Sequence, residues 1–128
     1  MDCTLVAKSQ SINEKILEAF LNDTAFGNAV VPGFYNDCDS LHIIDTLNVF
    51  PDKFSIKFSK IVLIERQYSK KPPFRKWYCN NLIVSIEGNK QQCYRLNYFH
   101  EPSSSAGFAI YKLKKGKLIK KKYQYGQY

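Results

Sequence analysis

Apolar positions along the 128 residues follow two different periods. Near the start, Ile12, Ile16, Leu17, Phe20 and Leu21 recur at i, i+4, i+5, i+8 and i+9, the stripe of an amphipathic helix. Ser11-Ile12-Asn13-Glu14 supplies a capping box, in which Ser and Glu satisfy each other's orphan backbone donors. Asn22-Asp23 ends this helix. Ala25 to Val31 is a short strand candidate, broken at Pro32-Gly33. A second helix is predicted from Asp39 or Ser40, burying Leu41, Ile43, Ile44, Leu47 and Phe50, with Pro51 as its stop.

Beyond Pro51 the period becomes two. Phe54, Ile56 and Phe58 alternate with polar residues, as in a half-buried strand. Ile61-Val62-Leu63-Ile64 breaks the alternation, which predicts a bulge or cover on both faces. Trp77 to Ile86 and Cys93 to Phe99 flank the connector Glu87-Gly88-Asn89-Lys90-Gln91, whose Gly and Asn take positive φ cheaply, a hairpin signal. Phe108, Ile110 and Lys112 alternate with Ala109, Tyr111 and Leu113. Helix, strand, helix and then long antiparallel strands make an α+β plan, a curved antiparallel sheet with helices on one face. Large side chains sit on both faces of these strands, and helices on one side cover only one of them. The second face is therefore a candidate partner surface. The residues assigned to it are Trp77, Tyr78, Leu82, Val84, Tyr94, Leu96, Tyr98, Phe108 and Ile110.

Length allows a single domain over 1–128 with a real core. No apolar run of about 18 residues is present, so no membrane span is expected, and the N-terminus has no secretory pattern. Cys3, Cys38, Cys79 and Cys93 form no CxxC pair and have no His at finger spacing. Reduced thiols are expected rather than zinc or disulfides, with Cys79 and Cys93 acting as small hydrophobes in the central hairpin. No cofactor is expected.

The net charge of +8 is unevenly placed. Lys8 and Lys15 are the only basic residues before Lys53, whereas beyond it basic residues far outnumber acidic ones. That asymmetry points to a polyanion or an acidic partner near the C-terminal half. In the Lys-rich segment 112–128, lysines interleave with Tyr111, Tyr123, Tyr125 and Tyr128, phosphate attraction beside stacking groups. The competing explanation is an edge strand guarded by lysines against aggregation. The candidate RNA residues are Lys70, Lys71, Arg75, Lys114, Lys115, Lys120, Lys121 and Lys122. Lys114-Lys115-Gly116-Lys117 fits a hairpin turn or a bulge equally well.

Gly27-Asn28-Ala29-Val30 with Gly33, Leu41 to Pro51 followed by Phe54-Ser55-Ile56, the Leu82–Phe99 hairpin, and Phe108-Ala109-Ile110 occur in an order that resembles the nuclear transport factor 2-like (cystatin-like) family. The likeness covers about residues 14–113, and Glu87–Gln91 most resembles the small heterodimerising branch that serves the general mRNA export receptor. The resemblance implies pairing, sheet against sheet, with a related domain of that receptor. It also implies shallow sites for phenylalanine–glycine repeats of the nuclear pore, and a location in the nucleus and at its envelope, shuttling to the cytoplasm. The Ran-binding branch of the family uses acidic residues at the cavity mouth. Here the matching turn offers Asn89, Lys90 and Gln91, so Ran is not an expected partner. The helical N-terminus is shorter than the family's, and Ser69–Lys76 is more basic than its usual loop.

Enzymes of this broad fold place Asp with His or Tyr in a cone-shaped pocket. His42 lies beside apolar positions, and His100-Glu101-Pro102 reads as an exposed turn before Ser103-Ser104-Ser105. A ribonuclease would need both histidines with Lys90 or Lys122, and nothing in the spacing brings them together. No phosphate loop, nucleophile elbow or metal-ligand cluster is present. The sequence predicts a non-enzymatic binding protein. The other class considered is a bacterial immunity protein of the same fold that blocks a toxin, although immunity proteins against nucleases are mostly acidic and this chain is basic.

Overall fold

The computed structural model describes residues 11–30, 40–66 and 81–127. Two helices, α1 (Ile12–Leu21) and α2 (Thr24–Val30), precede six strands. These are β1 (Ser40–Asp45), β2 (Ile61–Arg66), β3 (Asn81–Gly88), β4 (Cys93–His100), β5 (Ser105–Lys114) and β6 (Lys117–Gln127). They form one open sheet in the order β2-β1-β3-β4-β5-β6. The class is α+β, as expected, but the sheet is mixed. β1 runs parallel to both β2 and β3, and only β3 to β6 are antiparallel.

The capping box forms as the sequence predicts. The Glu14 N–H donates to Ser11 Oγ at 3.2 Å, and the Ser11 N–H donates to Glu14 Oε1 at 3.0 Å. Asn22 caps the other end of α1. Ala25–Val30, expected as a strand, belongs instead to α2. Asp23 Oδ1 accepts the Ala25 N–H at 3.0 Å and its carbonyl accepts the Gly27 N–H, so the residue that follows one helix starts the next.

The helix expected near residue 40 is β1. Its spacing fitted either period, and two of its six residues, Ile43 and Ile44, are β-branched and suit a pleat. Buried Asp45 then stops the strand. Its carboxylate accepts the Val49 and Phe50 amides at 2.9 and 3.0 Å, and Asn48 turns with φ 55°. Phe54, Ile56 and Phe58 are half-buried between exposed neighbours, as predicted, yet this extended stretch lies in no ladder. Side chains of α1 satisfy it instead. Glu14 Oε2 accepts the Ser55 amide at 2.6 Å, Glu18 Oε1 accepts the Lys57 amide at 2.6 Å, and Asn22 Nδ2 donates to the Lys57 carbonyl. In β2, Ile61 and Leu63 are exposed at the sheet edge, so the unbroken apolar run there is neither bulged nor covered on both faces.

The core lies between the helices and one sheet face. Ile16, Leu17, Phe20 and Phe26 pack on Leu82, Val84, Leu96 and Tyr98, and all eight are buried. Phe20 and Phe26 stack at 4.1 Å between ring centroids, and both meet Tyr98 and Tyr125. Gly107, opposite Tyr98 and Tyr125, lets the β5 and β6 backbones approach closely, because a Cβ there would stand 1.9 Å from the Gln124 carbonyl oxygen.

Candidate interaction surface

Strand pairing sorts every side chain of β3 to β6 onto one face or the other. Leu82, Val84 and Ile86 pair with His100, Tyr98 and Leu96, facing the helices. The intervening residues form the outer face, in rows that cross the strands. Ile44 and Ile83 lead to Phe99 and Ala106. Ser85 leads to Asn97, Phe108 and Gln124. Glu87 leads to Arg95, Ile110 and Lys122, and Cys93 leads to Lys112 and Ile119.

The first row is apolar; Ile44 at its β1 end is fully buried, Ile83 and Ala106 are half-buried, and Phe99 is 37% exposed. Next to it a polar chain crosses the sheet: Arg95 Nε donates to Asn97 Oδ1 at 3.0 Å, and Asn97 Nδ2 donates to Ser85 Oγ at 3.5 Å. The Arg95 guanidinium also lies 4.1 Å over the Phe108 ring, a cation–π contact. Two open hollows flank these residues. One of about 230 Å³ is lined by Thr46, Ile83, Ser85, Asn97 and Phe99, and one of about 290 Å³ by Glu87, Asn89, Cys93, Arg95 and Ile110.

The residues assigned to the partner surface are therefore divided. Leu82, Val84 and Leu96 are 0% exposed and Tyr98 is 4% exposed, so these four are core beneath the helices and not surface. Tyr94 lies on that same side, its ring on Gly88, where a Cβ would approach within 2.5 Å. Phe108 and Ile110 do lie on the outer face, half-buried. Trp77 and Tyr78 lie outside the described residues, as do Lys70, Lys71, Arg75 and Cys79. Ile83, Phe99, Arg95 and Ile119 complete the face. The alternation in each strand contained them, but the sequence reading pooled residues from both sides.

The central turn also differs in detail. It is a four-residue loop, Asn89–Gln92, closed by Asn89 Oδ1, which accepts the Gln91 and Cys93 amides. Gln92, with φ 58°, carries the positive φ expected of Gly88 or Asn89. At the other hairpin, Lys115 and Gly116 have φ 50° and 77°, so Lys114–Lys117 is a two-residue turn of type I′ character and not a bulge.

The lysines serve different ends. Lys114 and Lys115 are exposed at the β5–β6 tip. Lys120 is ion-paired: its Nζ donates to Asp23 Oδ2 at 2.6 Å and stands 4.1 Å over the Tyr123 ring. Its charge is therefore matched within the protein. A register shift opposite Ile110 and Tyr111 makes Lys121 the extra residue of a β-bulge and brings Lys122 to the outer face.

Electrostatics follow burial. Asp23 loses solvation, which alone raises its pKa. Hydrogen bonds from Lys120, the Ala25 amide and Tyr125, together with the Lys120 charge, outweigh that and hold it below the usual carboxylate range. Burial and the Asp23 charge push the Tyr111 hydroxyl up against an opposing pull from Tyr125, whereas burial, Tyr111 and Asp23 all push the Tyr125 hydroxyl up. His100, expected on an exposed turn, is instead the fully buried last residue of β4, on the face of Leu96 and Tyr98. Its Nδ1 lies 2.7 Å from Ser103 Oγ, and burial lowers its pKa to about 4. His42 stands half-buried on the outer face, where burial lowers its pKa against the opposing pull of Glu65. The two histidines lie on opposite faces of the sheet, in β1 and β4, so they do not form one acid–base pair.

Among the described residues, no group of three His, Cys, Asp or Glu is placed to hold a metal ion, and no helix is long and apolar enough to cross a membrane. Comparison with protein-family models, with curated proteins and with solved structures finds no match.

Proposed function

We propose that this chain is a non-enzymatic binding protein whose working surface is the outer face of the sheet, and that it pairs there with a related domain as the small subunit of an mRNA export heterodimer. One observation carries the reading. The helices cover one side of β3 to β6, while the other presents Ile83, Phe99, Phe108, Ile110 and Ile119 in adjoining rows. Side chains of this size on an open sheet gain free energy when a second surface removes them from water, at about 25 cal/mol per Å² of apolar area. The polar chain Arg95–Asn97–Ser85 fixes the register of a facing sheet. The β3–β4 hairpin, the segment whose turn most resembles the export branch, contributes the centre of this face. Ran is not a partner in this reading, because Asn89, Lys90 and Gln91 replace the acidic residues its binding needs.

Sedimentation velocity of the protein mixed with the nuclear transport factor 2-like domain of an mRNA export receptor tests the proposal. A one-to-one complex supports it, and two separate boundaries at micromolar concentration reject the named partner.

A further inference from the structure

We infer that the hairpin end of the outer face is a binding site for single-stranded RNA. The inference takes the outer face as the working surface, as the proposed function does, and because both use Arg95, Asn97 and Phe108, RNA and the partner domain are alternative occupants of it. The β-bulge at Lys121 creates this end of the face. By the observed register, Arg95, Lys112, Lys114, Lys117 and Lys122 all fall on the outer side, contributed by three adjacent strands. Lys120 turns to the opposite side and is neutralised by Asp23. The uncompensated charge of the hairpin is thereby gathered on one surface, with Glu87 the one carboxylate in its rows.

Lys114 and Lys117 are direct cross-strand neighbours. Like charges so placed destabilise a free hairpin, and an anion lying across them relieves the repulsion. Neighbouring strands are about 4.8 Å apart, so the five cations form a compact field rather than separate charges. Lysines are compact charges on flexible stems and follow a phosphate backbone without demanding one geometry.

Planar groups in the same field favour RNA over an acidic protein surface. The Arg95 guanidinium is already stacked on Phe108, and guanidinium and aromatic planes are the platforms on which unpaired bases stack. Asn97 and Gln124, in the adjoining row, offer amide groups to base edges. Stacking of this kind needs splayed bases, which selects single strands over duplex.

Fluorescence anisotropy with a labelled oligouridylate, titrated over a series of salt concentrations, provides the test. Each neutralised phosphate contributes about −0.7 to the slope of log K against log salt, so the full field of five cations predicts about −3.5. The variant Lys114→Gln/Lys117→Gln/Lys122→Gln should lower that slope by about 2 and weaken low-salt binding at least tenfold. A control, Lys15→Gln/Lys57→Gln, which alters exposed lysines elsewhere, should bind as the parent does. Equal binding by the triple variant, equal binding of a duplex, or equal competition by polyglutamate of matched charge would each overturn the inference, the last pointing to an acidic protein. Thermal melting of the triple variant separates lost binding from lost fold. A chain that binds oligouridylate but not the receptor domain would leave this inference standing and remove the earlier one.

Discussion

Lys120 Nζ and Asp23 Oδ2 stand 2.6 Å apart across 97 residues of chain, joining the last strand to the junction of the two helices. The Tyr125 hydroxyl donates to the same oxygen at 3.0 Å. Asp23 therefore caps α2 with one oxygen and anchors β6 with the other. The edge strand, which carries Lys117, Lys120, Lys121 and Lys122, is tied to the helices through Lys120 and Tyr125, and Lys117 and Lys122 face outward.

Replacing Asp23 with Asn should cost about 1–2 kcal/mol, since the change removes a charge-assisted contact but keeps a capping oxygen. The pH dependence has a definite sign. The folded pKa of Asp23 lies below its unfolded value, so its contribution is present above the ordinary carboxylate pKa and is lost as pH falls through the folded one. Urea unfolding at neutral pH and near pH 3 should show the difference between parent and Asp23→Asn shrinking in acid. A constant difference would mean that the ion pair does not anchor β6.

His100 gives a second acid-sensitive element at higher pH. Its folded pKa of about 4, against an ordinary 6.5, means that the unfolded chain takes up the proton first. The neutral ring's contribution is full above pH 6.5 and is lost as pH falls toward 4, by at most about 3.4 kcal/mol at 1.36 kcal/mol per pKa unit. Thermal melts of the parent should decline across that window, and those of His100→Gln should decline less. Parallel profiles would place the ring in water.

Gly107 should tolerate no side chain. A Cβ 1.9 Å from the Gln124 carbonyl forces the β5–β6 ladder apart beside the Tyr98–Tyr125 pair. Gly107→Ala is expected to cost about 3 kcal/mol or more, a drop of the melting midpoint by about 10 °C or more for a domain of this size. Gly116→Ala, strained only by its φ of 77°, should cost about 1 kcal/mol. Equal effects at the two glycines would contradict the packing described here.

Much of the sheet was legible from residue alternation. The β3–β4 hairpin follows from the period of two and the capping box of α1 from Ser11 and Glu14, but Leu82, Val84, Leu96 and Tyr98 were read as surface, because alternation alone does not say which face the helices cover. His100 belongs to the same alternation, but its polar neighbours Glu101 to Ser104 drew the reading toward solvent. The first helix–strand decisions failed for another reason. The segments at 24–30 and 40–45 are short, so tertiary contacts decide them: Asp23 capping α2, and β1 lying between two parallel neighbours. The Lys121 bulge, which determines the side reached by Lys122, leaves no mark in a run of three lysines. The candidate partner face was legible as a face, but its membership required the register.

The central claim is that the outer face, not the helical side, receives the partner domain. The most direct measurement is the affinity of the receptor's related domain for two charge insertions, Phe99→Asp on the outer face and Ala19→Asp on the exposed side of α1, each verified as folded by its melting curve. The account predicts that Phe99→Asp weakens the complex at least a hundredfold, about 2.7 kcal/mol, while Ala19→Asp leaves it unchanged. Loss of binding with Ala19→Asp and full binding with Phe99→Asp would contradict it.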